Sequence, residues 1–587
     1  MGYGEECMKT PSSSITELAN SLTTDIDLAT PTGIVKILRQ TDAQIFNGWS
    51  TYDGLCDAAF LKRMRRAVDE AAAVLSCNGK KKIIISGAGT SGRLAMIAAR
   101  SFNRIARLAG ADPCFHYLIA GGDLALIMAQ EGAEDDPIIS QKELEQLAGD
   151  AEKVLYIGVT CGFSAAYIAG QLDYSSERSN YFSILLGFNP PELARKVKIE
   201  KWDKCFSDVV QKINDHPRCV LLNPIVGPEP VTGSTRMKGG SATKLLLEVL
   251  FTAAMIKAKI LSPNTLSYPL KSVAWDLDSL IFTMLRQYEN TRVDVYSQIP
   301  DIAHLVEHGG IALKSRKHIY YIGPDTFGIL GIVDASECPP TFGASFDDVR
   351  GYLPNGWQEL LNSEKDLSSR GKEYQISLDD FTRDKLPHLT PEDLVIILGK
   401  EQNIESWGDL LERIKAMEAK LGAVLINPIY ASFPGFDAVV KLRLDPTGLV
   451  IYNEMLAEYA TKLVLNAITT GSHILAGKIY QNRMIDLNIS NNKLFYRTIN
   501  ILKDIVGADE QTAFQSILRS IYQTDHPTEK QLGASISEHI KAGVWKKKMV
   551  PKALLMATGN FTYEEAEKAL EKEPIVRSII EKISKIK

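Results

Sequence analysis

Residues 81–93 read KKIIISGAGTSGR. The opening KKIIIS has the short apolar run of a strand buried on both faces. Gly87-Ala88-Gly89-Thr90-Ser91-Gly92 then forms a glycine- and hydroxyl-rich turn, and RLAMIAARSFNRIARL continues with helical periodicity. Strand, turn and helix in that order make an anion site. The helix start leaves backbone N–H groups unpaired and carries the positive end of the helix dipole. Gly89 lets an anion approach the backbone, and Thr90 and Ser91 add hydroxyl donors. The string also satisfies GxGxxG. No ribose-binding carboxylate follows at the end of a second strand, so neither a dinucleotide nor any other cofactor is expected.

Outward from this stretch the pattern repeats. VLYIGVT (154–160), YFSILLGF (181–188) and CVLLNP (219–224) read as further buried strands separated by helical stretches. Alternating strands and helices predict an α/β fold with a doubly wound parallel sheet. Parallel sheets place ligands at the carboxyl ends of their strands. There, GVTCGFS (158–164) offers Thr160, Gly162 and Ser164 as a second polar loop. VTGSTRMKGGSATK (231–244) offers Ser234, Thr235 and Arg236 ahead of a helix that Ser241 or Thr243 is placed to cap. Three such loops in one half favour an anionic sugar.

A second set of strands follows: HIYYIG (318–323), DLVIILG (393–399) and AVLINP (423–428). CVLLNPI from Cys219 resembles AVLINPI from Ala423, and ATKLLLEVL from Ala242 resembles ATKLVLNAI from Ala460. The chain is therefore read as a duplication. The expected divisions are an N-terminal segment 1–50, a first α/β half 51–265, a second half 266–480 and an all-helical region 481–587. Residues 353–390 are expected to be an irregular excursion.

The 587 residues are 45% apolar and 23% charged, with a formal net charge of -5. No basic stripe or arm is present, so neither nucleic acid nor an anionic membrane is an expected partner. Lys546-Lys547-Lys548 reads as a solvated face. The eight cysteines are scattered without a CxxC pair, so no disulfide framework or metal is expected and a cytoplasmic setting is the default. Met1-Gly2 matches the start of a myristoylation signal, but Glu6 stands where it needs a hydroxyl residue.

GAGTSGRL, LIAGG (118–122), EGAEDD (131–136), VTGSTRMKGGSATK and GKIYQNRMIDLNISNNKLF (477–495) together resemble the sugar isomerase (SIS) family, and within it the N-acetylmuramic acid 6-phosphate etherases. TFGASFDDVRGYL (341–353) and the two-halves-plus-helices plan resemble the glucokinase regulatory proteins. The resemblance implies two tandem SIS domains packed as a pseudo-dimer under a helical lid. It also implies a sugar phosphate as ligand, either N-acetylmuramic acid 6-phosphate or a fructose phosphate.

The etherases join GTSGRL to DASECPPT in one block, and here that block is divided. The first half keeps Gly89 to Leu94, whereas DASECPPT (334–341) lies in the second half, whose own loop has become GPDTFG (323–328). Thr90 corresponds to Thr326, so Glu337 corresponds to Ser101. Eleven residues of helix advance roughly 16 Å, too far for a Glu to serve the loop that starts its own helix. Glu337 is therefore expected to serve the first half's loop across the interface, and the second half's equivalent site to be dead. The etherase resemblance implies cleavage of the lactyl ether by elimination and hydration, with Glu134 as base and Glu337 as acid or the reverse. Lys478 is expected on the sugar's ring oxygens or at a helix end. His473 is expected in the core or lid. The etherase activity is the leading expectation. The alternative is a sugar-phosphate-responsive regulator with a hexokinase-like partner, cytoplasmic and also nuclear, and the minor one an aldose–ketose phosphate isomerase.

Overall fold

The computed structural model describes residues 14–584 except 131, 201, 264, 265, 267–269, 274, 445–449, 487, 488, 490, 491, 544 and 545, with backbone alone at 450, 451, 492–494 and 584. Cys7, the Met1-Gly2 start and Glu131 of EGAEDD thus lie outside the described residues.

Two five-stranded sheets, parallel throughout, carry the two halves. The first contains β1 (Lys81–Gly87), β2 (Phe115–Ile119), β3 (Lys153–Val159), β4 (Tyr181–Leu186) and β5 (Cys219–Leu222), in the order β2-β1-β3-β4-β5. The second contains β6 (Ile319–Ile322), β7 (Val349–Tyr352), β8 (Leu394–Gly399), β9 (Lys420–Ile426) and β10 (Ala438–Leu442), in the order β7-β6-β8-β9-β10. The orders coincide strand for strand, as a duplication requires. The expected strands are all present. The sequence does not mark β2, β7 and β10 as strands, because each is an edge strand whose apolar run is broken, by His116, by Arg350 and Gly351, and by Lys441.

In this order the chain reverses direction of winding between β1 and β3, and the crevice at that switch point is where such sheets hold ligands. The loops after β1 and β3 are the two glycine- and hydroxyl-rich stretches 87–92 and 160–164.

The core explains why the halves form one body. Outer clusters around Tyr156, Tyr167 and Phe206 in one half, and around Tyr320, Phe381 and Ile414 in the other, cover one face of each sheet. The inner faces share a single continuous core, to which Phe102, Phe251, Tyr288, Tyr459 and Leu463 belong. The helices Lys238–Lys257 and Val450–Leu475, the two copies of the ATKLLLEVL-like repeat, pack together in it. Lys238–Lys257 is long and apolar enough to cross a membrane, but it is a core helix, buried from Lys238 to Ile256.

After a small hairpin of Ile479–Tyr480 with Arg483–Met484 that the sequence did not reveal, the described residues between Asn492 and Ser584 form a succession of helices and no strand. The last helix, Val576–Ser584, returns to the N-terminal segment, where Arg577 pairs with Asp25 (2.9 Å) and Asp27 (3.1 Å). The lysine run is not a solvated face throughout. Lys546 and Lys548 donate to the carbonyls of Ile521 (2.5 Å) and Leu570 (3.2 Å), so two of the three ammonium groups cap lid backbone.

Candidate functional site

The helix Gly89–Leu108 starts directly on the glycine loop, and its first residue has a positive φ of 52°, which favours glycine. A β-carbon on Gly92 would lie 2.5 Å from the Ile119 side chain and 2.7 Å from the Gly87 carbonyl, so only glycine closes this turn. No side chain caps the helix start, and although the Ser91 amide donates to the Ala88 carbonyl (3.1 Å), the positive end of the helix faces the loop uncapped. Ser91 and Thr160 are buried, Gly89, Thr90, Gly162 and Thr235 half-buried, and Ser164 exposed. The loops converge: the Cys161 thiol lies against the hydroxyls of Ser91 and Thr235, and burial beside Glu229 pushes it up to about 12. Ser234 is buried, and its hydroxyl has no partner within the protein. Buried hydroxyls are ordinarily satisfied, so this one marks room for a ligand or water.

The helix after the third loop is not capped by Ser241 or Thr243. The Glu229 carboxylate accepts from the Lys238 and Gly239 amides, both at 2.8 Å. Burial raises Glu229 to about 7. This helix start therefore already holds an anion of its own, unlike that at Gly89.

Glu337 crosses the interface as the repeat arithmetic predicts. It stands at the end of the helix Asp325–Ser336, and its Oε1 lies 4.0 Å from where a β-carbon on Gly89 would be. There it forms a buried ion pair with Arg93 of the first half. Arg93 also donates to the Leu126 carbonyl (3.0 Å), while its Nη2 is buried without a partner. Glu134 is exposed, on the turn Ala133–Asp135 that packs against the helix following the Thr160 loop.

Two other expected ligands have partners inside the protein. The Arg236 guanidinium turns to the second half, donating to Asp334 (2.9 Å), Thr469 (3.1 Å) and Thr470 (2.8 Å) and lying over the Phe342 ring. Lys478 pairs with Asp486 at 2.5 Å. His473 is a core residue, stacked on Phe342 and pushed down to about 3 by burial.

The sequence did not point to the N-terminal segment, which closes over the first half's loops. Ile15 N–H donates to Asn189 (2.9 Å) and Gly233 N–H to the Thr16 carbonyl (3.3 Å). A β-carbon on Gly162 would meet the hydroxyls of Thr16 and Ser14 at 3.0 and 3.1 Å. Nor did the ATKLVLNAI repeat, which contains Lys462, point that lysine to the site; it is buried on the second half's helix Val450–Leu475. Its Nζ and the Thr90 methyl would each stand 3.2 Å from a β-carbon on Gly240.

The second half's counterpart is filled. Asp325 stands where the first half has Gly89, with the same φ of 52°, and its carboxylate pairs with Arg100 and with Arg104 (3.0 Å). Burial opposes ionisation of Asp325, but Arg100 and Arg104 outweigh it and hold the carboxyl below its usual range. The Asp325 amide donates to Glu359 (2.6 Å), so this helix start is occupied by a carboxylate. Beside it a cavity of about 20 Å³, lined by Ser101, Thr326 and Glu458 among others, has room for about one water.

A duplicated doubly wound sheet with one open and one filled loop defines a tandem SIS protein. Over residues 66–176 the chain matches the N-terminal SIS domain of glucokinase regulatory protein, over 296–476 the second SIS domain, and over 481–580 the C-terminal lid domain. It is 34% identical to the Xenopus laevis glucokinase regulatory protein over 97% of this chain and 92% of that one. The human protein of that name is 35% identical over 96% and 91%. An N-acetylmuramic acid 6-phosphate etherase from Enterobacter sp. (strain 638) is 32% identical, over 43% of this chain and 83% of its own. The chain belongs to the glucokinase regulatory protein family, with a similarity to the etherases that is partial.

Proposed function

We propose that this protein is a sugar-phosphate-responsive regulator that binds a glucokinase-class hexokinase, with one phosphorylated sugar, such as fructose 6-phosphate, held at the Gly89–Gly92 loop. The observation that carries this reading is the length of the similarity. The relatives that match across both halves and the lid are named as regulatory proteins of glucokinase, whereas the etherase match covers less than half of the chain. This reverses the weighting that the intact DASECPPT motif suggested. The open helix start, Ser91, Thr160 and the unpartnered Ser234 hydroxyl support an anionic ligand in the first half.

One observation favours the second reading, ether cleavage: Glu337 sits beside Gly89, where an acid for that reaction belongs. Against it, the carboxylate is engaged by Arg93. Two assays separate the readings. The regulator inhibits glucokinase in a coupled assay, and fructose 6-phosphate changes that inhibition. Release of D-lactate from N-acetylmuramic acid 6-phosphate, abolished by Glu337→Gln, with no effect on glucokinase, would instead establish the lyase.

A further inference from the structure

Lys462 is a buried cation without a direct counter-ion. Its Nζ donates to the Arg236 carbonyl at 2.9 Å, with long contacts to Asn466 (3.4 Å) and Ser241 (3.5 Å). No ion pair among the described residues includes it. Asp334, the acid acting on it most strongly, is engaged by Arg236 and Thr469. A buried charge is costly unless an opposite charge or a set of strong dipoles compensates it.

The repeat supplies the comparison. Lys244 occupies the corresponding place in the first half's helix, 218 residues earlier, and it is fully neutralised by Glu248 and by Glu458 (2.7 Å). Glu458 in turn corresponds to Gly240. One copy thus has a lysine between two glutamates, and the other has a lysine with Asn466 and Gly240 in their places. The gap left by that glycine lies between Lys462 and Thr90 of the phosphate loop, each 3.2 Å from where the β-carbon would be.

We propose that Lys462 is a phosphate-binding residue supplied by the second half: the anion held at the Gly89–Gly92 loop is its counter-ion, and Glu458 stands in for that anion at the mirror position. This deepens the reading of the first half as a phosphosugar site and rests on it. Burial pushes Lys462 down to about 8, opposed by Asp334, Asp42 and Glu229 and assisted by Arg236. An incoming phosphate favours the charged lysine, so binding at pH 8–9 takes up a proton and weakens as pH rises further.

Calorimetry on the full chain tests this with two probes, inorganic phosphate and fructose 6-phosphate. Lys462→Met is expected to lose at least about tenfold in affinity for both and to abolish proton uptake, read from buffers of different ionisation enthalpy. Lys244→Met is expected to lower the melting temperature but leave affinity within about twofold. Gly240→Glu, which installs the mirror carboxylate, is expected to abolish binding without lowering the melting temperature. That variant decides the matter even if Lys462→Met fails to fold. Undiminished binding in Lys462→Met, or in a folded Gly240→Glu, overturns the assignment. Lys462-dependent binding of phosphate without any binding of fructose 6-phosphate leaves the lysine in place and removes the sugar-phosphate reading. Binding of neither probe to the unmodified protein overturns both.

Discussion

The two halves have the same strand order and the same loop-to-helix geometry, down to a φ of 52° at the first residue of each loop helix, yet they treat charge in opposite ways. In the first half Gly89 leaves the helix start open, Gly240 leaves Lys462 without a carboxylate, and the Ser234 hydroxyl is unpaired. In the second half Asp325 and Glu359 occupy the loop, and Glu458 neutralises Lys244. The fold was duplicated, and the open loop was kept once. A vacated anion site in a protein interior does not simply stay empty, because its cations and amides need partners.

The contrast is open to direct attack, and the largest effect is expected at the loop itself. Ser91→Glu puts a like charge and extra bulk where the phosphate binds and should abolish fructose 6-phosphate binding, a loss of a hundredfold or more by calorimetry. Phe327 replaces Ser91 in the second half; Phe327→Glu should lower stability through lost core packing but leave fructose 6-phosphate affinity of the folded protein unchanged. Equal losses at both positions would mean the halves are not functionally distinct.

The next effect is on stability. Glu337→Gln leaves the Arg93 guanidinium buried without its ion-pair partner, and chemical denaturation should show a loss of about 3 kcal/mol. Ser101→Ala, at the corresponding position in the first half, should change stability by no more than about 0.5 kcal/mol. The smallest effect separates the two loop residues with positive φ. Gly89→Ala should cost about 1 kcal/mol from the backbone alone, with no clash, since the new methyl would meet nothing closer than Glu337 at 4.0 Å. Asp325→Gly loses its arginine partners but relieves the left-handed φ of a residue with a β-carbon, so the two offset and a change within about 0.5 kcal/mol is expected in the same measurement.

Much of this was readable before any coordinates. The apolar runs around Ile83–Ile85 and Leu394–Leu398 mark strands because a parallel sheet buries both faces, and the repeat marks the duplication because both copies keep the same packing. Even the crossing of Glu337 was legible, once the etherase resemblance, the repeat offset and the helix rise were combined with pseudo-dimer packing. What the sequence concealed is long-range. Lys462 sits inside the ATKLVLNAI repeat string, but its meaning depends on Gly240, more than 200 residues away. The Ser14–Glu17 segment reads as polar filler, yet it packs on Gly162 and Gly233. The short motif and the whole-chain similarity weigh the function differently for a related reason. DASECPPT is a compact catalytic signature, whereas a regulator's distinguishing feature is the whole-chain plan of two halves and a lid, which no short motif conveys.

The central claim is that this chain binds one phosphorylated sugar, in the first half only. Isothermal titration with fructose 6-phosphate tests it most directly, comparing the unmodified protein with Ser91→Glu. The account predicts a stoichiometry of one ligand per chain, falling to none in the variant. Two ligands per chain, or one that persists in Ser91→Glu, would contradict it.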